Sequence, residues 1–256
     1  MPFFKAGSRL VYYAHVPKCG GMAVASYLAA RFGEIAFHDR RFAALPEPSR
    51  WSRSSPQHVD AATLDRLIPL DFFDACFAIV RHPVGRAVSS FHFQKELERT
   101  IPEDMGFSDW LERLPDILAR DRFAFDNHIR PMAEIVPAGA TLFHIEHGLD
   151  ALIPWLDGVE GAARGDRVLP PENARGAYAG ASGARVRPTA EDLDRIATIY
   201  AADFDRFGYV PDAPRPLRPA PPLNPEFRAA RDRDLQRLGL PWQRLRLRLR
   251  RRLRRI

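Results

Sequence analysis

The chain has 256 residues, of which 46% are apolar, so it can bury a full core and is neither a peptide nor a disordered regulator. Its formal net charge of +6 is unevenly distributed. Residues 1–210 carry 24 basic and 28 acidic side chains, whereas residues 211–256 carry 14 arginines and 4 acidic side chains. The positive charge therefore belongs to the C-terminal part, and we expect no nucleic acid among the ligands of the acidic body.

The cysteine content and the hydropathy pattern bear on where the protein works. Cys19 and Cys76 cannot build a disulfide framework, and without a Cys-x-x-Cys motif or a Cys/His cluster we expect no metal site. No run of about 18 apolar residues suggests a transmembrane helix, and the N-terminus lacks the layout of a signal peptide. We therefore expect a cytoplasmic protein whose basic tail is a candidate contact to the inner face of the membrane.

Three short apolar runs predict buried strands, namely Leu10–Val16, Ala75–Val80 and Thr141–Ile145. Helical spacing of apolar residues predicts a helix that follows the Pro17–Gly21 turn and ends near Gly33, and further helices over Asp60–Ile68, Val84–Glu98, Phe107–Arg120, Leu149–Leu156 and Thr189–Phe207. Residues 39–57 and 158–187 are predicted to be irregular. Strands that alternate with helices predict an α/β fold with a central, mostly parallel sheet flanked by helices.

The composition changes near residue 211. Residues 1–210 are predicted to form the main domain. Residues 211–225 hold seven prolines and are predicted to be an extended linker. Residues 226–256 form an Arg-rich basic tail.

The end of this tail admits three interpretations. Four apolar residues share one helical face, which would suit an anionic membrane surface or an acidic glycan; they are Leu245, Leu249, Leu253 and Ile256. The alternation of Arg and Leu over 244–249 fits an extended strand equally well. A disordered, solvated terminus is the third interpretation.

The turn after the first predicted strand has the sequence Pro17-Lys18-Cys19-Gly20-Gly21-Met22. Paired glycines let a backbone turn tightly, so that successive N–H groups and the start of the next helix face one anion. In a Walker A motif, by contrast, the lysine follows the last glycine and precedes a hydroxyl residue. The turn predicts a phosphate or sulfate site, although an ordinary strand–helix connection explains this motif alone equally well.

A second motif lies where the second predicted strand ends, with Arg81 at the strand end and Ser89 on the helix that follows. In α/β folds such strand ends face the crevice that binds ligands, and a guanidinium can bind a phosphate through two hydrogen bonds. The alternative is that Arg81 and Arg86 pair with surface acids and that Ser89 has no binding role.

Together, the motifs VPKCGG at 16–21 and VRHPVGRAVS at 80–89 resemble the nucleotide-binding elements of sulfotransferases that use 3′-phosphoadenosine 5′-phosphosulfate (PAPS). The resemblance is closest to the carbohydrate sulfotransferases and their bacterial relatives, and it spans nearly all of residues 8–210. It implies a P-loop-like three-layer sandwich. It also implies transfer of a sulfuryl group from PAPS to a hydroxyl of a glycan or glycolipid, with 3′-phosphoadenosine 5′-phosphate (PAP) as the product.

The resemblance also implies which residues bind the donor. The 5′-phosphosulfate would be held by the turn, which comprises Pro17, Lys18, Cys19, Gly20, Gly21 and Met22. Arg81 and Ser89 would hold the 3′-phosphate. The chain departs from the family pattern at Met22 and Ala23, where many members have Ser or Thr, and at His82, where an acid or Asn is common.

Two further segments resemble the family: SPQH at 55–58 is similar to the segment that supplies the acceptor-side histidine, and DNHIRP at 126–131 is similar to a polar element that follows the second binding motif. A sugar hydroxyl is a poor nucleophile at neutral pH, so we expect a general base, and histidine suits that task. His58 is the leading candidate and His38 the second, while Lys18 would neutralise charge on the bridging oxygen. Because the leaving group is already a phosphate anion, no metal is required. The expected acceptor contacts are His38, Asn127, His128 and Arg130.

Two other functions compete with this one. A nucleotide kinase or NTPase would share the general architecture, but the Walker order of lysine and hydroxyl is missing. A non-catalytic protein could bind polyanions or membranes through the basic tail, with the body as a degenerate scaffold. The apolar Met22 and Ala23 favour this last alternative.

Overall fold

The central sheet has four strands in the order β1-β2-β3-β4. In the computed structural model, which describes residues 1–39, 41–169 and 185–239, these are β1 (Phe3–Ala6), β2 (Arg9–Ala14), β3 (Ala75–Val80) and β4 (Thr141–His144). Strands β2, β3 and β4 run parallel, and β1 is antiparallel to β2. The fold is therefore mixed α/β with a mostly parallel sheet, as predicted.

Strand β1 has no counterpart among the predicted strands. It pairs with β2 in a tight hairpin, with Phe3 opposite Tyr12 and Ala6 opposite Arg9. Gly7 in the turn has φ +62°, in the left-handed region that such hairpin turns require. Four residues are too few for an alternating pattern to stand out in the sequence, so the pairing with β2 defines this strand.

The middle of the sheet is buried on both faces. Residues 11–14 of β2 and 77–80 of β3 are at most 1% exposed, which is the pattern of a parallel sheet covered by helices. The polar residues His15 and Arg81 follow these two buried runs directly. The carboxyl ends of β2 and β3 are therefore where the chemistry of this sheet is concentrated.

Helices account for most of the remaining regular structure. Within the described residues they are α1 (Gly21–Phe32), α2 (Ala61–Leu67), α3 (Pro83–Phe93), α4 (Phe107–Arg120), α5 (Met132–Ile135), α6 (Leu152–Glu160), α7 (Ala190–Ile199), α8 (Ala201–Phe207) and α9 (Pro225–Gly239). The predicted bounds of α4 are confirmed, and α1 ends at the predicted Gly33, which has φ +92°.

Two predicted helices are divided in the structure. The helix expected over Val84–Glu98 ends at Phe93 and continues as a π-helical turn over Gln94–Glu98. The helix expected over Thr189–Phe207 is split into α7 and α8 at Tyr200, whose hydroxyl donates a hydrogen bond to the carbonyl of Ile129 at 2.9 Å. Apolar periodicity continues across both breaks, so it could not reveal them.

The C-terminal part packs on the body as far as the structure describes it. Helix α9 buries Phe227, and its Arg231 pairs with Asp150 at 2.8 Å. The division of the chain at residue 211 stays a prediction. The apolar face expected near the C-terminus lies outside the described residues. Among the helices described, none is both long and apolar enough to cross a membrane.

Candidate functional site

The loop between β2 and α1 depends on its two glycines. A Cβ atom at Gly21 would lie 1.6 Å from Nε2 of His15, so only glycine fits beneath that ring. Gly20 has φ +82°, and a Cβ atom there would lie 3.0 Å from Cδ1 of Ile145. In the part of the chain that the structure describes, no hydrogen bond engages the N–H groups of Gly20, Gly21 and Met22. These N–H groups are therefore free to bind an anion at the start of α1.

Lys18 carries the charge of this loop. Its backbone is left-handed, with φ +67°, and its Nζ lies 3.7 Å from the centre of the Phe93 ring. Burial and the neighbouring charge of Arg81 lower the pKa of Lys18 to about 8. Among the described residues, no carboxylate forms an ion pair with this ammonium. A bound anion would supply the missing partner.

Arg81 lies at the end of β3 and reaches the same loop. Its Nη1 donates a hydrogen bond to the carbonyl oxygen of Lys18 at 3.1 Å. Gly85 allows this position, because a Cβ atom there would lie 3.2 Å from Nε of Arg81. The guanidinium borders a cavity of about 560 Å³ whose lining includes Glu146 and the segment 211–214. The Arg81 guanidinium therefore contacts the backbone of Lys18, 63 residues away in the sequence, and lines the cavity beside the glycine loop.

Helix α3 is held at its start by His82. Its Nδ1 accepts a hydrogen bond from the N–H of Val84 at 3.2 Å, and its Nε2 lies 3.0 Å from the carbonyl oxygen of Val210. Capping the first turn is the task that an Asn or Asp performs at this position of many helices. His82 thus performs the same capping task as the residue types that the family pattern has here.

Ser89 and Arg86 differ in what they contact on this helix. Ser89 is half-buried, and within the described chain its hydroxyl makes no hydrogen bond. Arg86 is 2% exposed and donates hydrogen bonds to the backbone carbonyls of Pro17 and His128. The alternative that Arg86 pairs with a surface acid is therefore wrong. Its side chain is buried and connects the loop that contains Pro17 with the segment that contains His128.

Cys19 contributes to the loop through its backbone alone. Its side chain is fully buried, with Sγ 3.9 Å from Sδ of Met132. Burial raises the pKa of the thiol to about 12, so the side chain stays protonated and apolar in character. Main-chain groups of the loop between β2 and α1 are therefore the ones available to an anion. The side chain of Cys19 instead packs this loop against the core.

A second cluster of polar groups surrounds His58, which is 9% exposed. Its Nδ1 lies 2.7 Å from Oδ2 of Asp126 and 3.1 Å from Oγ of Ser55. The Ser55 hydroxyl and N–H also donate to the two carboxylate oxygens, at 2.7 and 2.5 Å. Burial opposes ionisation of Asp126, but His58 and the Ser55 hydrogen bond hold the pKa of this carboxyl well below its usual range.

Aromatic contacts connect this cluster with the lysine of the loop. The ring of His58 lies 5.2 Å from that of His128, and His128 lies 4.9 Å from Phe93, the ring beneath Lys18. On the other side of His58, His15 lies 5.0 Å away. The expected base and the expected cation therefore belong to one continuous site.

His38, the second candidate for the base, lies further from this centre. Its ring is half-buried and lies 6.4 Å from that of His15, which separates it from His58. Burial and the nearby His58 and His38 lower the pKa of His15 well below its usual value, so His15 stays neutral. His38 therefore neighbours His15, and its ring is one residue removed from His58.

His128 is buried and has a defined hydrogen-bond partner. Its Nδ1 lies 3.0 Å from Nε2 of Gln94, whose Oε1 accepts a hydrogen bond from the Thr100 hydroxyl at 2.6 Å. Because the amide nitrogen can only donate, Nδ1 is the acceptor and Nε2 carries the proton. Burial, together with the neighbouring His58 and Lys18, lowers the pKa of His128 well below its usual value. His128 is therefore a neutral hydrogen-bond donor.

The other two expected acceptor contacts have internal partners. Asn127 is fully buried, and its amide donates to the carbonyl oxygen of His58 at 2.7 Å. Arg130 is 6% exposed and lies between the carboxylates of Asp60 and Glu134, at 3.2 and 2.8 Å. Both side chains hold the segment that carries Asp126 and His128 in place.

Three groups of the cluster could also be considered as metal ligands. His58, Asp126 and His128 offer ligand atoms within 4.8 Å of one another. However, His58 and Asp126 are joined by a direct hydrogen bond of 2.7 Å, and Nδ1 of His128 is bonded to Gln94. A metal would have to break the first of these contacts or use only the Nε2 atoms.

Reasoning from the sequence assigned no role to Asp126, Ser55 or Gln94. Asp126 and Ser55 were within motifs that resemble the family, SPQH and DNHIRP, so their presence was a signal. Their contact could not be predicted, because the two residues are 71 positions apart. Gln94 lies in the π-helical turn, which the sequence pattern does not reveal.

The structure is that of an α/β protein in which a glycine loop, Lys18 and Arg81 lie at the carboxyl ends of parallel strands, where such folds bind ligands. A family model described as "Sulfotransferase family" matches residues 1–147, more than half of the chain. The protein belongs to this family, and the predicted resemblance to sulfotransferases is confirmed. Searches among curated proteins and among solved structures gave no match.

Family membership supports a sulfotransferase enzyme that moves a sulfuryl group to an acceptor bearing a hydroxyl. The matched residues include the glycine loop, Arg81 and the cluster around His58.

Proposed function

We propose that the protein transfers a sulfuryl group from PAPS to a hydroxyl of a carbohydrate, as a glycan or glycolipid, and releases PAP. One observation carries the proposal: the Arg81 guanidinium binds the carbonyl oxygen of Lys18 in the glycine loop, and neither Lys18 nor Arg81 has an ion-pair partner among the described residues. Two cations at such a place suit a ligand with two phosphate positions, and PAPS is such a ligand.

The donor is assigned to the elements that the sequence motifs predicted. The loop from Pro17 to Met22 would bind the 5′-phosphosulfate with its N–H groups, as a phosphate-binding loop does in a three-layer P-loop-like sandwich. Arg81 and Ser89 would bind the 3′-phosphate. The cavity of about 560 Å³ beside Arg81 is within the usual size range of small-molecule sites, which supports a nucleotide there.

The acceptor is assigned to the other side of the site, with His58 as general base. The Nε2 atom of His128 can donate a hydrogen bond to the acceptor or to the group in transfer. His38 remains a second contact on the outer side. Because Asn127 and Arg130 have internal partners, our proposal gives them a supporting role and not contact with the acceptor.

The reaction is an in-line substitution at sulfur. The acceptor oxygen forms a new bond to sulfur while the bond between sulfur and the bridging phosphate oxygen breaks, and the hydroxyl proton passes to His58. The electron pair of the broken bond leaves with PAP. Lys18 would neutralise the charge that develops on the bridging oxygen, so the proposed step depends on positioning and electrostatics and requires no metal.

Calorimetric titration with PAP tests the donor site. The wild type should bind PAP, and Lys18→Ala and Arg81→Ala should each weaken the affinity by about 10²-fold, because each removes a charge-assisted contact to a phosphate. Arg53→Ala is the matched control, since this exposed arginine pairs with the exposed Asp121.

Unchanged affinity in both site variants would contradict the assignment. Tighter, magnesium-dependent binding of ATP than of PAP would favour the competing nucleotide kinase or NTPase.

A further inference from the structure

The carboxylate of Asp126 contacts the expected base directly, with Oδ2 2.7 Å from Nδ1 of His58. We propose that Asp126, supported by Ser55, is a positioning residue that holds His58 in the form able to accept a proton at Nε2. This inference rests on the proposed function, since it specifies how His58 is prepared for the transfer.

Three hydrogen bonds fix the position of the proton on His58. The Ser55 hydroxyl donates to Oδ2 of Asp126 at 2.7 Å, so its own oxygen is left to accept from Nδ1 of His58 at 3.1 Å. Oδ2 of Asp126 also lies 2.7 Å from Nδ1. Both neighbours of Nδ1 are therefore acceptors, and the contacts are all satisfied only when Nδ1 carries the proton.

The opposite nitrogen of His58 is then the free base. With the proton on Nδ1, Nε2 has a lone pair, and no hydrogen bond within the described residues engages it. The ring lies between the rings of His15 and His128, with centres at 5.0 and 5.2 Å, and it is 9% exposed. The histidine of a hydrolytic triad has the same arrangement: a carboxylate orients one ring nitrogen, and the other nitrogen has a free lone pair and acts as the general base.

The backbone around Asp126 supports a specific role. Phe125, Asp126 and Asn127 have φ values of +53°, +54° and +62°, three successive residues in a region that non-glycine residues rarely adopt. The side chain of Asn127 holds this turn against the carbonyl oxygen of His58, and Arg86 holds the carbonyl of His128. The protein thus maintains an unfavourable backbone conformation that brings the Asp126 carboxylate to His58.

Asp126→Asn is the most informative substitution, because Asn tolerates the left-handed region well. If the new amide keeps its oxygen toward the N–H of Ser55, its NH2 group faces Nδ1 of His58. Because NH2 can only donate, Nδ1 must then accept, and the ring proton of His58 must move to Nε2. Long-range ¹H–¹⁵N spectra should show this reversal of the His58 tautomer, with the signals assigned by comparison with His58→Gln.

Rate and binding measurements complete the test. Transfer of labelled sulfuryl from PAPS to the acceptor that the wild type uses in a saccharide panel should fall about 10²-fold or more in Asp126→Asn. The affinity for PAP and the thermal midpoint should change little. Asp121→Asn removes an exposed carboxylate five positions away and is the matched control.

Ser55→Ala provides a second variant in case the first one fails to fold. It keeps the carboxylate, so the Nδ1–H tautomer should persist while the rate falls about tenfold. An unchanged tautomer together with an unchanged rate in Asp126→Asn would overturn the proposal.

Stoichiometric binding of Zn²⁺ that the wild type shows and Asp126→Asn loses would also overturn it, in favour of a metal site. If the wild type does not bind PAP, the proposed function is contradicted instead. The tautomer of His58 is measured independently of PAP binding, so the two failures can be distinguished.

Discussion

The two ends of helix α1 (Gly21–Phe32) both have a basic residue nearby, but these residues have opposite surroundings. Before its N-terminus, Lys18 has its ammonium over the Phe93 ring, and its backbone carbonyl accepts a hydrogen bond from another cation, Arg81. Near its C-terminus, Arg31 pairs with Asp157 and Glu160 at 2.7 Å each, and its side chain is 2% exposed. Arg31 therefore stabilises the fold, whereas Lys18 and Arg81 are the cations to which our proposal assigns the ligand.

The same distinction applies to the other arginines of the site region. Arg130 lies between two carboxylates, and Arg86 donates to backbone carbonyls, whereas Arg81 donates to only one carbonyl and borders a cavity. A buried cation without a carboxylate partner is costly unless something else offsets the charge. Substitutions at the two ends of α1 should therefore affect different properties.

Removal of Arg31 should have the largest effect on stability. Arg31→Met would leave Asp157 and Glu160 with fewer partners in a buried site, and we expect the free energy of unfolding to fall by about 3 kcal/mol. The affinity for PAP at 20 °C should stay unchanged as long as the protein is folded. Urea unfolding and calorimetry measure the two quantities.

Arg53→Ala serves as the control for Arg31→Met, because an exposed pair contributes at most about 1 kcal/mol. A loss of PAP affinity in Arg31→Met, without a loss of stability, would remove the distinction between the two ends of the helix.

The pH dependence of donor binding is a smaller but more specific effect. In the free protein burial lowers the pKa of Lys18 to about 8, so Lys18 is charged below this pH and loses its charge above it. A bound anion stabilises the charged form, and the affinity for PAP should therefore fall as pH rises from 8 to 9.5, by up to about tenfold per unit.

Lys18→Arg is the matched variant for this measurement, because arginine stays charged over the whole range. Its affinity should be nearly independent of pH between 7 and 9.5. A pH dependence that is the same in wild type and variant would show that another group titrates.

The sequence predicted the fold most reliably where one local pattern decides the structure. Buried runs before His15 and Arg81 predicted β2 and β3, and parallel pairing then places Lys18 and Arg81 at one edge of the sheet. The helix predicted from Thr189 does start there, because Thr189 and Asp192 form a capping box at the beginning of α7. Each of these features depends on residues within a few positions of one another.

Contacts between distant residues were beyond sequence patterns. His58 and Asp126 are 68 positions apart, and nothing local to either residue indicates that they touch. Arginines that pair internally, such as Arg31 with Glu160, look the same in the sequence as Arg81. Only the packing of the chain shows which of these charges have partners.

The role of His58 can be tested most directly by transfer of labelled sulfuryl from PAPS to a saccharide panel, with wild type and His58→Ala in parallel. We expect label on at least one saccharide with the wild type, and a rate lower by about 10² or more in His58→Ala, while PAP binds both proteins equally well. Equal transfer rates would exclude His58 as the base. No transfer by a wild type that binds PAP would contradict a carbohydrate acceptor.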